Sequence, residues 1–303
     1  MRLVKARRTV PITVVKYFLL ISFGFVYLYP IIFMIGYSFM GAEDLRNQLV
    51  HYVPTRLDFS NYTSAILVLD YWQSLWTSVY VSVLPAITQS IATCITAYGL
   101  ARYKFPGRSI VLGLIIATFI IPPVITMMPQ FLMYQNMGLT ETPLVFILPA
   151  SLGQGLRSSI LILVFYQILS SIPTSLEEAA RIDGAGAIKL FVRIAVPLAK
   201  SGFVIAFIFS LIWYWNETTL STIYMGNTLT TLPMRLERFA MIYAQMRHGG
   251  GAAGGGALGD ARSIDQAIYM AGTMLNVIPL LLFYFFTQKQ FVESVERSGI
   301  TGE

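Results

Sequence analysis

The chain has 303 residues, of which 55% are apolar and only 12% charged, with a mean hydropathy of +0.65 and a formal net charge of +6. Average soluble domains carry about twice that share of charge, so an ordinary soluble fold is excluded and a polytopic membrane protein is indicated. The single cysteine, Cys94, excludes an internal disulfide, and the two distant histidines, His51 and His248, offer no metal site. There is no P-loop, no nucleophile elbow and no Cys/His cluster, so no enzyme activity, cofactor or metal is expected.

A membrane-spanning helix needs about 20 apolar residues to cross a core of ~30 Å. A basic leader, MRLVKARR, precedes the uncharged run Tyr17–Met40, the first expected span. That run is too long for a signal peptide and no A-x-A site follows it, so it is expected to stay attached. Residues 41–70, with the turn-like LDFSNY, are expected to form an external loop, with a short helix as an open alternative within it. Tyr71–Ala101 gives span two, Ser109–Gln130 span three, and Thr142–Ser170 span four, interrupted by Arg157. Ser201–Met225 gives span five, interrupted by Glu217, and Gln266–Gln288 gives span six. The expected fold is therefore all-α with six spans. Pro122, Pro123 and Pro129 break span three, while Pro149 and the loose GQG at 153–155 break span four. Such breaks survive in a membrane only where protein or water surrounds the freed backbone. Residues 248–259, HGGGAAGGGALG, are low in complexity, and no internal repeat marks an inverted-repeat transporter.

Basic residues set the orientation. The N-terminus, residues 101–108 and 171–200, and the C-terminal tail together hold 14 Lys and Arg. The opposite set, residues 41–70, 131–141 and 226–265, holds six. The richer side is cytoplasmic, which puts both termini inside and accounts for much of the net charge without a nucleic-acid partner.

One cytoplasmic stretch is polar. Pro173 stops span four, and Thr174 with Glu177 forms a T-x-x-E capping box that starts a helix at Ser175. Glu177 and Arg181 are an i,i+4 pair, and the helix should end near Gly184 in the turn sequence D-G-A-G. A second short helix follows, with Ile188, Phe191, Val192, Ala195 and Val196 on one apolar face and Pro197 at its end. The first helix sets small residues (Ala179, Ala180, Gly184, Ala185) beside Glu177, Glu178, Arg181 and Asp183. Small residues permit close backbone approach and charges fix register, which suits a peg for another protein's socket. A plain interfacial linker is the alternative on these residues alone.

The run Glu178-Ala179-Ala180, three residues, Gly184, nine residues, Ile194, one residue, Val196-Pro197 resembles the EAA loop of binding-protein-dependent ABC importer permeases, with Val196 where that pattern has Leu. AYGLARYKFPGR (97–108), SIPTSLEEAARIDGAG (171–186), WNE (215–217) and AGTMLNVIPLLLFYFFTQKQFV (271–292) are similar to the carbohydrate-uptake branch, in particular to the second membrane subunit of maltose-type importers. The resemblance covers most of residues 60–303, and the length suits a single permease domain over 1–303, divided into residues 1–70 (first span and external loop), 71–288 (permease core) and 289–303 (cytoplasmic tail). The resemblance implies a multi-pass protein of the bacterial inner membrane. Its implied partners are a second permease subunit, two ATPase subunits, an extracytoplasmic sugar-binding protein and a sugar. It implies that Glu178, Ala179, Ala180 and Gly184, with Glu177, Arg181, Asp183, Ala185 and Gly186 around them, dock on an ATPase and receive its stroke. The tail FVESVERSGITGE follows the family only loosely, and an irregular end is expected for Ser298–Glu303.

Two charges interrupt the spans. Arg157 and Glu217 fall at roughly 20 and 24 Å above the inner boundary if each span is helical to that point. Unpaired charges there are costly, so the two are expected to pair or to face water. They are candidates, with Gln154 and Asn216, for lining a translocation path; a purely structural ion pair, or an Arg157 that snorkels to the outer surface, is the alternative. Glu217 also keeps open an ion-coupled secondary transporter, and a non-transporting scaffold is a third reading. The topology is directly testable. In a Cys94→Ala background, a thiol at Ser263 should react with a membrane-impermeant reagent added outside and one at Ser298 should not. The reverse pattern would invert the orientation.

Overall fold

The computed structural model describes residues 2–47, 49–50, 52–249 and 258–300. His51, most of the glycine-rich segment and residues 301–303 lie outside them. Among the described residues the fold is all-helical: α1 (Arg2–Ser38), α2 (Ala42–Arg46), α3 (Ser60–Leu69), α4 (Tyr71–Arg102), α5 (Arg108–Ile120), α6 (Pro123–Asn136), α7 (Leu144–Ser151), α8 (Ser158–Ser171) and α9 (Thr174–Ile182). Then come α10 (Ala187–Leu190), a π-helical turn (Phe191–Ala195), α11 (Val196–Leu198), α12 (Lys200–Asn216), α13 (Thr219–Met225), α14 (Leu232–Glu237), α15 (Phe239–Gly249) and α16 (Leu258–Ile300). Three stretches are long and apolar enough to cross a membrane unaided: Thr13–Ser38, Tyr71–Arg102 and Asp265–Ser294. Three further helix pairs pass the same test only as bent units: α5 with α6 (100°), α8 with α9 (68°), and Ala187–Leu198 with α12 (74°). Residues 298–300, expected to be irregular, continue the helix of α16.

The chain clusters into two units, Met1–Tyr71 with Arg238–Ile278, and Trp72–Glu237 with Pro279–Glu303. The first boundary lies one residue past the division expected at 70/71, whereas residues 238–278 cluster with the N-terminal part. In the first unit the segment after α1 folds back on its own helix end. Asn61 donates to the carbonyls of Ser38 (3.0 Å) and Met40 (2.9 Å), two groups freed where α1 stops. Phe39 packs between the rings of Phe59 and Tyr62. The expected external loop thus contains two short helices, one of which, α3, packs on α15.

The second unit is built on α4, α8 and α12. Cys94, Ala97, Leu161, Phe165, Leu169, Ala199 and Ala206 form its buried centre. Small residues bring these helices together, as lipid-embedded packing requires when hydrophobicity itself no longer discriminates. Gly202 is the tightest such point: a Cβ there would lie 2.8 Å from Phe165 Cε1 and 3.1 Å from Ile168 Cδ1. Pro122 and Pro123 impose the 100° break between α5 and α6, while Pro129 is absorbed inside α6. Gly202→Leu should force α8 from α12 and cost about 1–3 kcal/mol, read as a lower melting temperature in detergent. Adding Phe165→Ala should restore part of the loss. No recovery would mean that this contact does not set the helix spacing.

Candidate functional site

Two places in the second unit concentrate unusual residues. The first is the polar loop. α9 begins at Thr174 with Pro173 as its N-cap, and no side chain caps it. The expected Thr174/Glu177 box is therefore not formed. Glu177 turns inward instead, and its Oε1 lies 2.9 Å from Arg102 Nε, with both side chains about 95% buried (5% and 6% exposed). Arg102 Nη2 also donates to the Ile172 carbonyl at 2.9 Å. Arg181 adds a looser contact to Glu177 at 3.8 Å. An ion pair at hydrogen-bonding distance outcompetes a neutral cap bond for the same carboxylate.

With Glu177 inside, the rest of the loop faces out. Glu178, Ala179, Arg181 and Asp183 are exposed, Ala180 and Ala185 half-buried, and Ile182 stands 87% exposed. Gly184 adopts φ +78°, and the Ala185 and Gly184 N–H groups bond back to the carbonyls of Ala180 (2.9 Å) and Arg181 (3.0 Å). This is a Schellman closure, and the left-handed position explains the glycine. Open space surrounds both Gly184 and Gly186.

The second helix is turned relative to expectation. Ile188 is 81% exposed and Val192 54% exposed, while Leu190, Ala195 and Ala199 are buried and Phe191 packs on Tyr98 at 5.0 Å between ring centroids. The π-turn at Phe191–Ala195 adds a residue to one turn, which shifts the buried face away from a 3.6-residue register. Pro197 lies in the three-residue α11, just after the widened turn and one residue before the element ends at Leu198. The outward side is a shallow groove along Gly186, Ala187, Ile188, Lys189, Val192 and Arg193.

The second place is a cavity of about 480 Å³ walled by α5–α8, α12 and α13. Its wall includes the unwound stretch between α7 and α8. Gln89 Nε2 donates to the Leu156 carbonyl (2.6 Å), and the Leu156 N–H donates to the Tyr214 hydroxyl (3.1 Å). Both backbone groups of one broken-helix residue are thus satisfied by side chains from neighbouring helices. Gly155 must be glycine, because a Cβ would strike the Tyr214 hydroxyl and lie 2.6 Å from Gln89 Oε1. Neither Gln89 nor Tyr214 stood out in the sequence; a buried Gln inside an apolar run was the available signal.

Of the four expected path residues, Arg157 and Gln154 line this cavity, and Asn216 and Glu217 are not among its lining residues. Arg157 and Glu217 do not pair in this conformation. The Arg157 guanidinium lies over the Trp213 ring at 5.2 Å, and Glu217 Oε1 accepts from the Leu220 N–H at 2.9 Å, capping α13. Asn216 bonds back to the Ile212 carbonyl. Glu217 has found a local hydrogen-bond donor, whereas Arg157 has only a ring face beside it. Among the described residues no group of three or more His, Cys, Asp or Glu is placed to hold a metal.

The buried pair makes a sharp test. Glu177→Gln or Arg102→Gln leaves one charge uncompensated and should cost about 3–5 kcal/mol. Arg102→Met with Glu177→Met should melt above either single variant; strictly additive losses would show that the two side chains are not coupled.

Residues 89–297 match the family model described as "Binding-protein-dependent transport system inner membrane component". The polygalacturonan/rhamnogalacturonan transport system permease protein of Bacillus subtilis (strain 168) is 25% identical over 287 residues, covering 94% of this chain and 96% of that protein. The lactose transport system permease protein of Rhizobium radiobacter is also 25% identical, covering 95% and 96%. The crystal structure of a bacterial ABC transporter involved in the import of the acidic polysaccharide alginate superposes with a TM-score of 0.72 at 23% identity, over 92% of this chain and 96% of that one, which shows a shared fold. With its model matched over more than two thirds of the sequence, the chain belongs to the family of binding-protein-dependent transport system inner membrane components.

Proposed function

We propose that the chain is one permease subunit of an ATP-driven importer that moves a sugar or oligosaccharide inward. The observation that carries this reading is the polar loop. The helix α9 is anchored by a buried ion pair on one side and presents exposed Ile182 on the other, followed by exposed Gly184 in the turn and Ile188 on α10. An exposed apolar and small-residue surface on a rigidly held helix is what a docking peg needs. Glu178, Ala179, Ala180, Arg181, Asp183, Ala185 and Gly186 complete that surface, and Glu177 anchors it. The relatives named for polygalacturonan/rhamnogalacturonan and lactose transport support the class of cargo, and the inward direction rests on the resemblance of the polar loop to that of the importer permeases.

In this reading the chain crosses the bacterial inner membrane six times with both termini in the cytoplasm, and the loop joining the fourth and fifth spans meets the ATPase. It pairs with a second permease subunit, two ATPase subunits and an external sugar-binding protein. ATP hydrolysis belongs to the ATPase, so the chain is not itself an enzyme. The cavity beside Arg157 and Gln154 is a segment of the translocation path. The ion-coupled alternative gains nothing from the geometry, since the Glu217 carboxylate caps α13.

Gly184→Trp should abolish ATP-driven uptake and weaken co-purification of the ATPase while the protein still inserts. Gly184→Asn, which tolerates the left-handed backbone, should retain most uptake. Normal uptake in the Trp variant would rule out docking at this turn.

A further inference from the structure

The cavity has a one-sided charge. Among its lining residues Arg157 is the single charged side chain, and no described carboxylate forms an ion pair with it. Trp213 lends its ring face, but a ring offers no acceptor for the N–H donors of a guanidinium.

More donors converge beside it. Arg157 is the N-cap of α8, a helix of 14 residues, in the left-handed conformation (φ +52°) and without a side-chain cap bond. The Ser158 N–H bonds to the Gly155 carbonyl and the Ile160 N–H to the Arg157 carbonyl, which leaves the Ser159 N–H without an acceptor. Ser158 is 94% buried (6% exposed), its hydroxyl has no partner, and both serines line the cavity. Arg157, Ser158 and Ser159 are thus three consecutive lining residues at the positive end of a helix, and they bring a guanidinium, an idle hydroxyl and a free N–H to one stretch of the wall.

We propose that this stretch binds a carboxylate of the cargo, so that the chain passes acidic, uronate-containing oligosaccharides. The inference rests on reading the cavity as part of the sugar path. A planar guanidinium matches a carboxylate in bidentate fashion, and the helix terminus supplies further donors to the same anion. Tyr134, Phe146 and Tyr224 provide aromatic surface for the apolar faces of the sugar rings, and Gln130 and Gln154 provide amides for hydroxyls. An anion arriving here meets donors already in place and neutralises a charge that the membrane interior penalises. A lipid phosphate presents similar oxygens, and the test separates the two.

The test uses the complete importer in phosphatidylcholine nanodiscs, without its external binding protein. Trigalacturonate and its fully methyl-esterified, neutral counterpart are titrated by calorimetry, with tryptophan fluorescence as a second readout and Trp213→Phe as its control. The acid should bind about tenfold or more tightly than the ester. Arg157→Gln should abolish that preference, and Arg157→Lys should keep part of it, which distinguishes lost charge from lost folding. Equal binding of acid and ester, or a preference that survives Arg157→Gln, overturns the carboxylate site. So does a fluorescence response to phosphatidylglycerol nanodiscs that blocks trigalacturonate. If neither sugar binds, and neither enters proteoliposomes when ATP and the binding protein are supplied, the sugar-path reading falls as well. Uptake of both at equal rates leaves that reading standing and removes only the anion site.

Discussion

The ion pair between Arg102 and Glu177 holds the second unit's polar loop to its helical core. Two buried charges are expensive to desolvate, and only close contact and further bonding offset that cost. Here the further bonding is present in the Ile172 carbonyl on Arg102, and Arg181 adds only a looser charge contact to Glu177 at 3.8 Å. Helix ends add to it. Arg102 lies in the last turn of α4, where the peptide dipoles favour a cation. Glu177 lies in the first turn of α9, where they favour an anion. The pair thus joins the end of one helix to the start of another in the one orientation in which both dipoles help. Once Glu177 is fixed, the helical period places Glu178, Ala179 and Ile182 outward.

Much of this was legible in the sequence. Long uncharged runs located α1, α4 and α16, Pro122-Pro123 located the sharpest bend, and D-G-A-G located the Schellman turn at Gly184. What stayed hidden depended on distant partners or on an altered helical period. Thr174 and Glu177 make a plausible local cap, and nothing near them reveals that Arg102, 75 residues earlier, will take the carboxylate. Ile188 and Val192 fit a 3.6-residue stripe that the π-turn dissolves. Arg157 and Glu217 were natural partners for lack of others, yet Arg157 lies over the Trp213 ring and Glu217 accepts from the Leu220 N–H only three residues on. Patterns record periodicity and local chemistry; they do not record which of several possible partners wins.

The unwound stretch before α8 shows how a membrane fold tolerates irregular backbone. In hydrocarbon an unsatisfied peptide group costs several kcal/mol. Leu156 escapes that cost because Gln89 and Tyr214 bond its carbonyl and its N–H. The cost is displaced onto sequence requirements: Gly155 must lack a Cβ, Gln89 must sit in an otherwise apolar helix, and Tyr214 must keep its hydroxyl. In exchange the chain gains a cavity wall made of backbone and short side chains.

The two sites are physically continuous through α8. Its N-terminal end carries Arg157 and the serines at the cavity, and its C-terminal end leads to Ile172, whose carbonyl is held by Arg102. Fourteen residues at 1.5 Å each make a rod of about 21 Å. Phe165 at its middle is fully buried against Gly202, so the rod has little freedom to slide alone. A force on α9 therefore has two outlets. It can be absorbed at the 68° bend through Ile172 and Pro173, or it can move α8 together with α12 and so change the cavity. Arg102 biases the choice, because it grips Glu177 beyond the bend and the Ile172 carbonyl within it. A hinge clamped on both sides by one side chain is stiffened, and a stiffened hinge hands displacement to the rod.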